Sequence, residues 1–151
     1  MLTLEQATRA LVMGQQRMID FAARIPVDMQ VYPEWTMKEV IDHLTGWDEM
    51  AISLVGVSLG NGKMASPIES LDEYNAMSIN RRKMLPLRQS IEEYVVKRKE
   101  LVRCLVGLQP GVIENEIMFA WGAKGTLLEL LNIWVEHEES HRNDIFGRIK
   151  W

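Results

Sequence analysis

Three threonines constrain this chain most, because each opens a capping box ahead of an apolar helical stripe. In Thr3-x-x-Gln6, Thr36-x-x-Glu39 and Thr126-x-x-Glu129 the hydroxyl can accept from an orphan N–H, while the residue three positions on reaches back to the cap amide. Apolar residues then recur at three- and four-residue intervals over four long segments. The spacing predicts a first helix from Leu4 to Ile25, with Ala7, Leu11, Met18, Phe21 and Ile25 on one face and Pro26 ending it. A second helix begins at Met37 and fades near Gly60. A third runs from about Pro86, a residue tolerated at a helix start, to Leu108, carrying Ile91, Tyr94, Val95, Leu101, Val102 and Leu105 inward. The fourth runs from Leu127 to about Phe146.

The connection between the second and third helices is what selects a topology. It opens with Gly60-Asn-Gly62 and contains a short helix from Leu71 to about Met84. At roughly 25 residues it can cross the bundle, so the two helices it joins can run parallel. The expected fold is therefore all-α: a single domain over 1–151, a four-helix bundle in up-down-down-up order. Ile113 to Phe119 alternates weakly and is read as an ordered loop rather than a sheet, cut short by Trp121-Gly122.

Composition narrows the class. Hydrophobic residues make up 47% and charged residues 25%, which is neither a disordered nor a fibrous profile. A net charge of -4 without a basic run gives no footprint for nucleic acid. The N-terminal Met1-Leu-Thr-Leu-Glu-Gln lacks the basic and apolar regions of a signal peptide, and the apolar stretch from Met50 to Leu59 is far short of the roughly 20 residues of a membrane span. The expectation is a cytoplasmic protein with no nucleic-acid or membrane partner; a homodimer is left open. The single cysteine, Cys104, reads as ordinary helix packing.

Only three histidines occur, and all three fall on inward stripes. His137 and His141 are four residues apart and leave the same face of the fourth helix, in the series Leu127, Leu130, Trp134, His137, His141, Ile145. His43 belongs to the series Val40, His43, Leu44, Trp47, Ala51, Leu54 on the second. One buried imidazole is usually a satisfied core residue. Three in one small core each need partners, since an unpaired buried polar group costs a few kcal/mol, and a divalent ion would satisfy all of them. Depth agrees: at 1.5 Å per residue His43 lies about 9 Å from the start of its helix and His141 about 8 Å from the end of its own. Antiparallel helices bring both to one end.

These segments carry a resemblance. Trp35-Thr36-Met37-Lys38-Glu39-Val40-Ile41-Asp42-His43-Leu44-Thr45-Gly46-Trp47-Asp48 is similar to the second-helix signature of the DinB superfamily, and Trp134-Val-Glu-His137-Glu-Glu-Ser-His141-Arg-Asn-Asp-Ile145 resembles its fourth-helix signature. Asp72-Glu-Tyr-Asn75 resembles a recurrent segment of the crossover. The resemblance implies that His43, His137 and His141 are a metal triad for a divalent ion, zinc or nickel being the first expectations. It also implies a small-molecule substrate, with a low-molecular-weight thiol as one option, because the superfamily includes thiol transferases, a thiol-dependent isomerase and hydrolases alongside members of unassigned role. Two functions stay open: a metal-dependent thiol S-transferase or hydrolase acting on a small electrophile, and a non-catalytic stress-associated module with a structural metal.

Further site candidates are weaker. With parallel second and third helices, Tyr94 and Arg98 start at the same end as His43, and the planar fork of Arg98 can hold a carboxylate. The alternative is a side chain snorkelling from the stripe edge. Asp144, three residues beyond His141, is a candidate to orient an imidazole N–H. Glu138 and Glu139 are expected on a solvated face, Asp48 stays unassigned, and Trp47 and Trp134 read as core.

Overall fold

The computed structural model describes residues 1–61 and 68–149. Its elements are α1 (Leu4–Arg24), β1 (Gln30–Tyr32), β2 (Trp35–Thr36), α2 (Met37–Ser58), α3 (Leu71–Arg81), α4 (Leu87–Leu105), α5 (Pro110–Ile113), β3 (Glu116–Met118), β4 (Lys124–Thr126) and α6 (Leu127–Arg148). The predicted first, second, third and fourth helices are α1, α2, α4 and α6. At Thr3 and Thr126 the capping box is reciprocal: each hydroxyl accepts from the amide three residues on, and Gln6 or Glu129 takes the cap amide. At Thr36 the Glu39 carboxylate takes both the amide and the hydroxyl. The Gly60 end of the expected turn has φ 74°; its remainder at Gly62 lies outside the described residues.

Side-chain partners fix the direction of each helix. Asp42 lies beside Ser90 and Asp48 pairs with Arg98, so α2 and α4 run parallel. Trp134 donates to the Trp47 carbonyl while His141 meets His43, so α2 and α6 are antiparallel. Gln15 reaches the Tyr94 carbonyl and Arg98 the Leu11 carbonyl, which sets α1 against α4. Leu2 bonds Asn132 and Gly14 faces Glu138, which makes α1 and α6 parallel. The order is up-down-down-up, as the crossover length implies. Within that crossover α3 lies across α2 at Gly46, where an added Cβ would be 2.6 Å from Ser78 Cβ; only a missing side chain lets the two helices meet.

One expectation needs correcting. Residues read as a loop over 113–119 contain the end of α5 and the strand β3, which pairs in antiparallel register with β4. The pairing depends on Gly122, whose φ of 87° is a left-handed conformation that a side chain disfavours. Phe119 N–H meets the Ala123 carbonyl and Gly122 N–H the Phe119 carbonyl, closing the turn. The segment before α2 forms a second hairpin, β1–β2. Both are two-stranded, and 69% of the described residues are helical. No helix among the described residues is long and apolar enough to cross a membrane.

The core is divided. One apolar cluster gathers Ala7, Leu11, Leu54, Leu101, Leu130 and Trp134. The other gathers Met18, Met37, Val40, Leu44, Tyr94 and Ile145. On α1, α4 and α6 the break between them falls where Gly14, Arg98 and Glu138 stand, and on α2 it falls between Leu44 and Trp47, just ahead of Asp48.

Candidate metal centre

α2 and α6 present their histidines to one another across an antiparallel contact. The three Nε2 atoms form a nearly equilateral triangle: His43 to His137 is 3.1 Å, His43 to His141 3.2 Å, and His137 to His141 3.1 Å. His43 is buried, and the two α6 rings are half-buried. Among the described residues this is the group of histidine, cysteine or acidic side chains close enough to share an ion.

Hydrogen bonding alone does not satisfy the triangle. A neutral imidazole nitrogen carries either a proton or a lone pair, so three nitrogens in mutual contact leave at least one like pair facing each other, two protons or two lone pairs. The outer edge of His141 sharpens this. Tyr32 Oη lies 2.7 Å from His141 Nδ1 and 3.1 Å from Asp144 Oδ2. A carboxylate only accepts, so Tyr32 donates to Asp144 and accepts from His141 Nδ1–H. The tautomer is thereby set, with a lone pair at Nε2 aimed into the triangle. Burial first, and then the Asp144 acceptor, hold the Tyr32 phenol well above its ordinary pKa, which keeps this donor protonated.

The protonation balance points the same way. Burial, then the two neighbouring rings, push His43 down to about 2. Burial and His141 push His137 down to about 3. His141 is lowered by burial, against the pull of Asp144 and Glu138. All three are neutral imidazoles near neutral pH, the form that binds a metal. The spacing fits as well: nitrogens about 2.0–2.1 Å from one ion, at tetrahedral to octahedral angles, are about 2.8–3.4 Å apart.

Aromatic rings surround the triangle. Trp35 lies over His43 with centroids 5.0 Å apart, and Tyr32 meets His141 edge-on at 5.4 Å. Trp47 lies 4.3 Å from His137 and 4.7 Å from Trp134. Trp121, at the turn of the β3–β4 hairpin, continues this row at 6.2 Å from Trp47. Asn75 on α3 accepts from Trp47 Nε1, and the Tyr74 hydroxyl donates to the Gly46 carbonyl. His43 Nδ1 makes no hydrogen bond of ordinary geometry, although the Asn75 carboxamide acts on the ring and favours its protonation.

The other sequence candidates lie elsewhere. Arg98 is 2% exposed and forks onto Asp48 at 2.8 and 3.0 Å, meets Glu138 at 2.5 Å, and donates to the Leu11 carbonyl. Tyr94 is buried and donates to Glu138 at 2.9 Å. The expectation that Arg98 holds a substrate carboxylate gives way, because two carboxylates and a carbonyl of the protein already occupy the guanidinium. Nor does it snorkel. Glu138, expected on a solvated face, is 3% exposed, and Gly14 makes room for it: an added Cβ there would fall 2.1 Å from Glu138 Oε1. Glu139 is exposed, as expected. Asp144 is exposed and reaches the triad through Tyr32 rather than directly. Tyr32 was missed, since nothing local ties it to a histidine 109 residues away. Asp48 and Glu138 had a readable signal, each sitting four residues after a core residue, Leu44 and Trp134.

No protein-family model matches this chain, and no curated protein matches its sequence. Solved structures do. The mycothiol-dependent maleylpyruvate isomerase superposes with a TM-score of 0.76 at 16% identity. A histidine-to-alanine mutant of that isomerase superposes with a TM-score of 0.79 at 15% identity. The fold is shared. Each match covers 99% of this chain and 65% of the other, so the chain spans 65% of the length of the structures it matches.

Proposed function

We propose that the chain is a metal-dependent enzyme of the DinB superfamily, in which His43, His137 and His141 hold one divalent ion and the reaction is attack by a small thiol, or by water, on a small electrophilic compound. The observation that carries this is the triangle of Nε2 atoms with no fourth histidine, cysteine or carboxylate beside it among the described residues. Three imidazoles leave coordination positions open, as catalytic sites do and closed structural sites do not. The fold likeness to a mycothiol-dependent isomerase supports the thiol version. An ion at the triad would bring the pKa of a bound thiol or water close to neutral. The chain's own residues do the rest. Tyr32 and Asp144 hold His141 in the ligating tautomer. The partly exposed Trp35 and Trp121 offer an apolar frame beside the half-buried rings.

The enclosing aromatics also favour a second reading, a structural metal in a dry site. Calorimetric titration with Zn²⁺ and Ni²⁺, on protein carrying no histidine tag, tests the metal first: the wild type should take up one ion per chain and His137→Ala should not. Indistinguishable isotherms would remove the metal site and the enzyme with it. A thiol-transfer screen on loaded protein then separates the two readings. Turnover lost in His137→Ala supports the enzyme, and metal binding without any effect of metal on turnover leaves the structural role.

A further inference from the structure

We infer that Arg98 is a positioning residue for the histidine triad: its guanidinium fixes the rotation of α6 against α2, so that three imidazoles on two helices converge. This rests on the metal reading above. The placement is specific. Arg98 comes from α4, which supplies no triad residue, yet it bonds one carboxylate on each helix that does. Asp48 lies five residues after His43 on α2, and Glu138 directly follows His137 on α6. A third bond, to the Leu11 carbonyl, adds α1. All four main helices therefore meet at one guanidinium, and Tyr94 completes the cluster by donating to Glu138.

Magnitudes show why such a clamp matters here. An imidazole nitrogen stands roughly 6 Å from its helix axis, so turning α6 by only about 20° displaces it by about 2 Å. Metal–ligand distances tolerate about 0.2 Å. Apolar burial is non-directional and by itself sets such a rotation less sharply. A forked guanidinium–carboxylate pair is directional. Buried ion pairs usually add little to stability over apolar residues of similar volume, and their best-attested use is to fix register. The cluster divides an otherwise continuous apolar core at the level where α2 and α6 carry the triad. Gly14 is part of the device, since any side chain there would strike the Glu138 carboxylate.

The test replaces the three charged residues of the cluster together so that no charge is stranded. Asp48→Leu, Arg98→Met and Glu138→Leu are combined, and the variant is compared with the wild type for thermal stability, for Zn²⁺ affinity by calorimetry, and for the visible spectrum of the Co²⁺-loaded form. The expected result is a helical variant of similar stability whose Zn²⁺ affinity is at least about tenfold weaker and whose Co²⁺ bands are shifted. Unchanged affinity and spectrum in that variant would overturn the inference. Absence of metal binding in the wild type would instead overturn the metal reading itself, which keeps the two failures apart. Should the triple variant not fold, Gly14→Ala gives the second reading. It displaces Glu138 while every charge stays in place. An altered Co²⁺ spectrum supports the clamp, and an unaltered one with Glu138 displaced, as checked by a crystal structure, overturns it.

Discussion

Two polar clusters stand side by side on the same pair of helices, and they are built on opposite principles. Around Arg98 every charge has a partner: two carboxylates, a guanidinium and a phenol saturate one another at 2.5–3.5 Å. Around His43 three like groups face each other at 3.1–3.2 Å with no acid among them. The first cluster is complete within the chain and fits architecture. The second leaves like groups facing one another within the chain, an arrangement that could hold an ion. Burial is complete around Arg98 and partial at His137 and His141, but it is saturation that separates a structural cluster from a candidate site.

The largest test of this contrast is to strand charge in the saturated cluster. Arg98→Ala leaves Asp48 and Glu138 buried without a counter-ion and should cost about 3–5 kcal/mol, read as a lower urea midpoint. Unchanged stability would show the cluster to be more hydrated than its burial indicates. The matching change in the unsaturated cluster should behave in the opposite way. His43→Leu removes a ring whose Nδ1 lacks a regular partner, so the metal-free protein should stay within about 1 kcal/mol of wild type or gain stability. Zn²⁺ binding should be lost. A loss of several kcal/mol would mean that the ring is satisfied without metal.

Acid sharpens the comparison, because the two clusters respond with opposite sign. His43 and His137 are lowered to about 2 and about 3 when folded, whereas the unfolded chain binds protons there below about 6.5. Their contribution is fully present above pH 6.5 and is lost as pH falls, each by up to about 1.4 kcal/mol per pH unit. Asp48 runs the other way. Burial foremost, opposed by Arg98 and reinforced by Glu138 and Glu49, raises it to about 6, so between pH 6 and about 4 the folded state binds this proton more readily and gains stability. With two histidines against one carboxyl, the metal-free protein should lose stability from pH 6.5 to 5, and His43→Leu should flatten that slope. An unaltered slope in the variant would show that His43 is not held neutral. The smallest expected effect is at the rim. Tyr32→Phe removes the bond to His141 Nδ1 and should weaken Zn²⁺ binding about tenfold, with helicity unchanged by circular dichroism. Equal affinities would place Tyr32 outside the site's support.

The sequence by itself determined what depends on neighbours in the chain. Helix starts at Thr3, Thr36 and Thr126 follow from residues three apart, and the stripes that turn His43, His137 and His141 inward follow from a 3.6-residue period. The parallel pairing of α2 with α4 was legible because crossover length limits direction. Tertiary structure decided the remainder. Glu138 follows a histidine in a strongly acidic run and looks solvated, yet Arg98, forty residues earlier, and the space at Gly14 draw it into the core. The 113–126 segment carries too weak an alternation to name its own partner, so its hairpin waits on Gly122 turning the chain. Tyr32 reaches His141 only after β1–β2 has folded against the end of α6. Each of these is a contact between groups far apart in sequence, whose energy exists only once the bundle has brought them together, and local pattern carries no record of it.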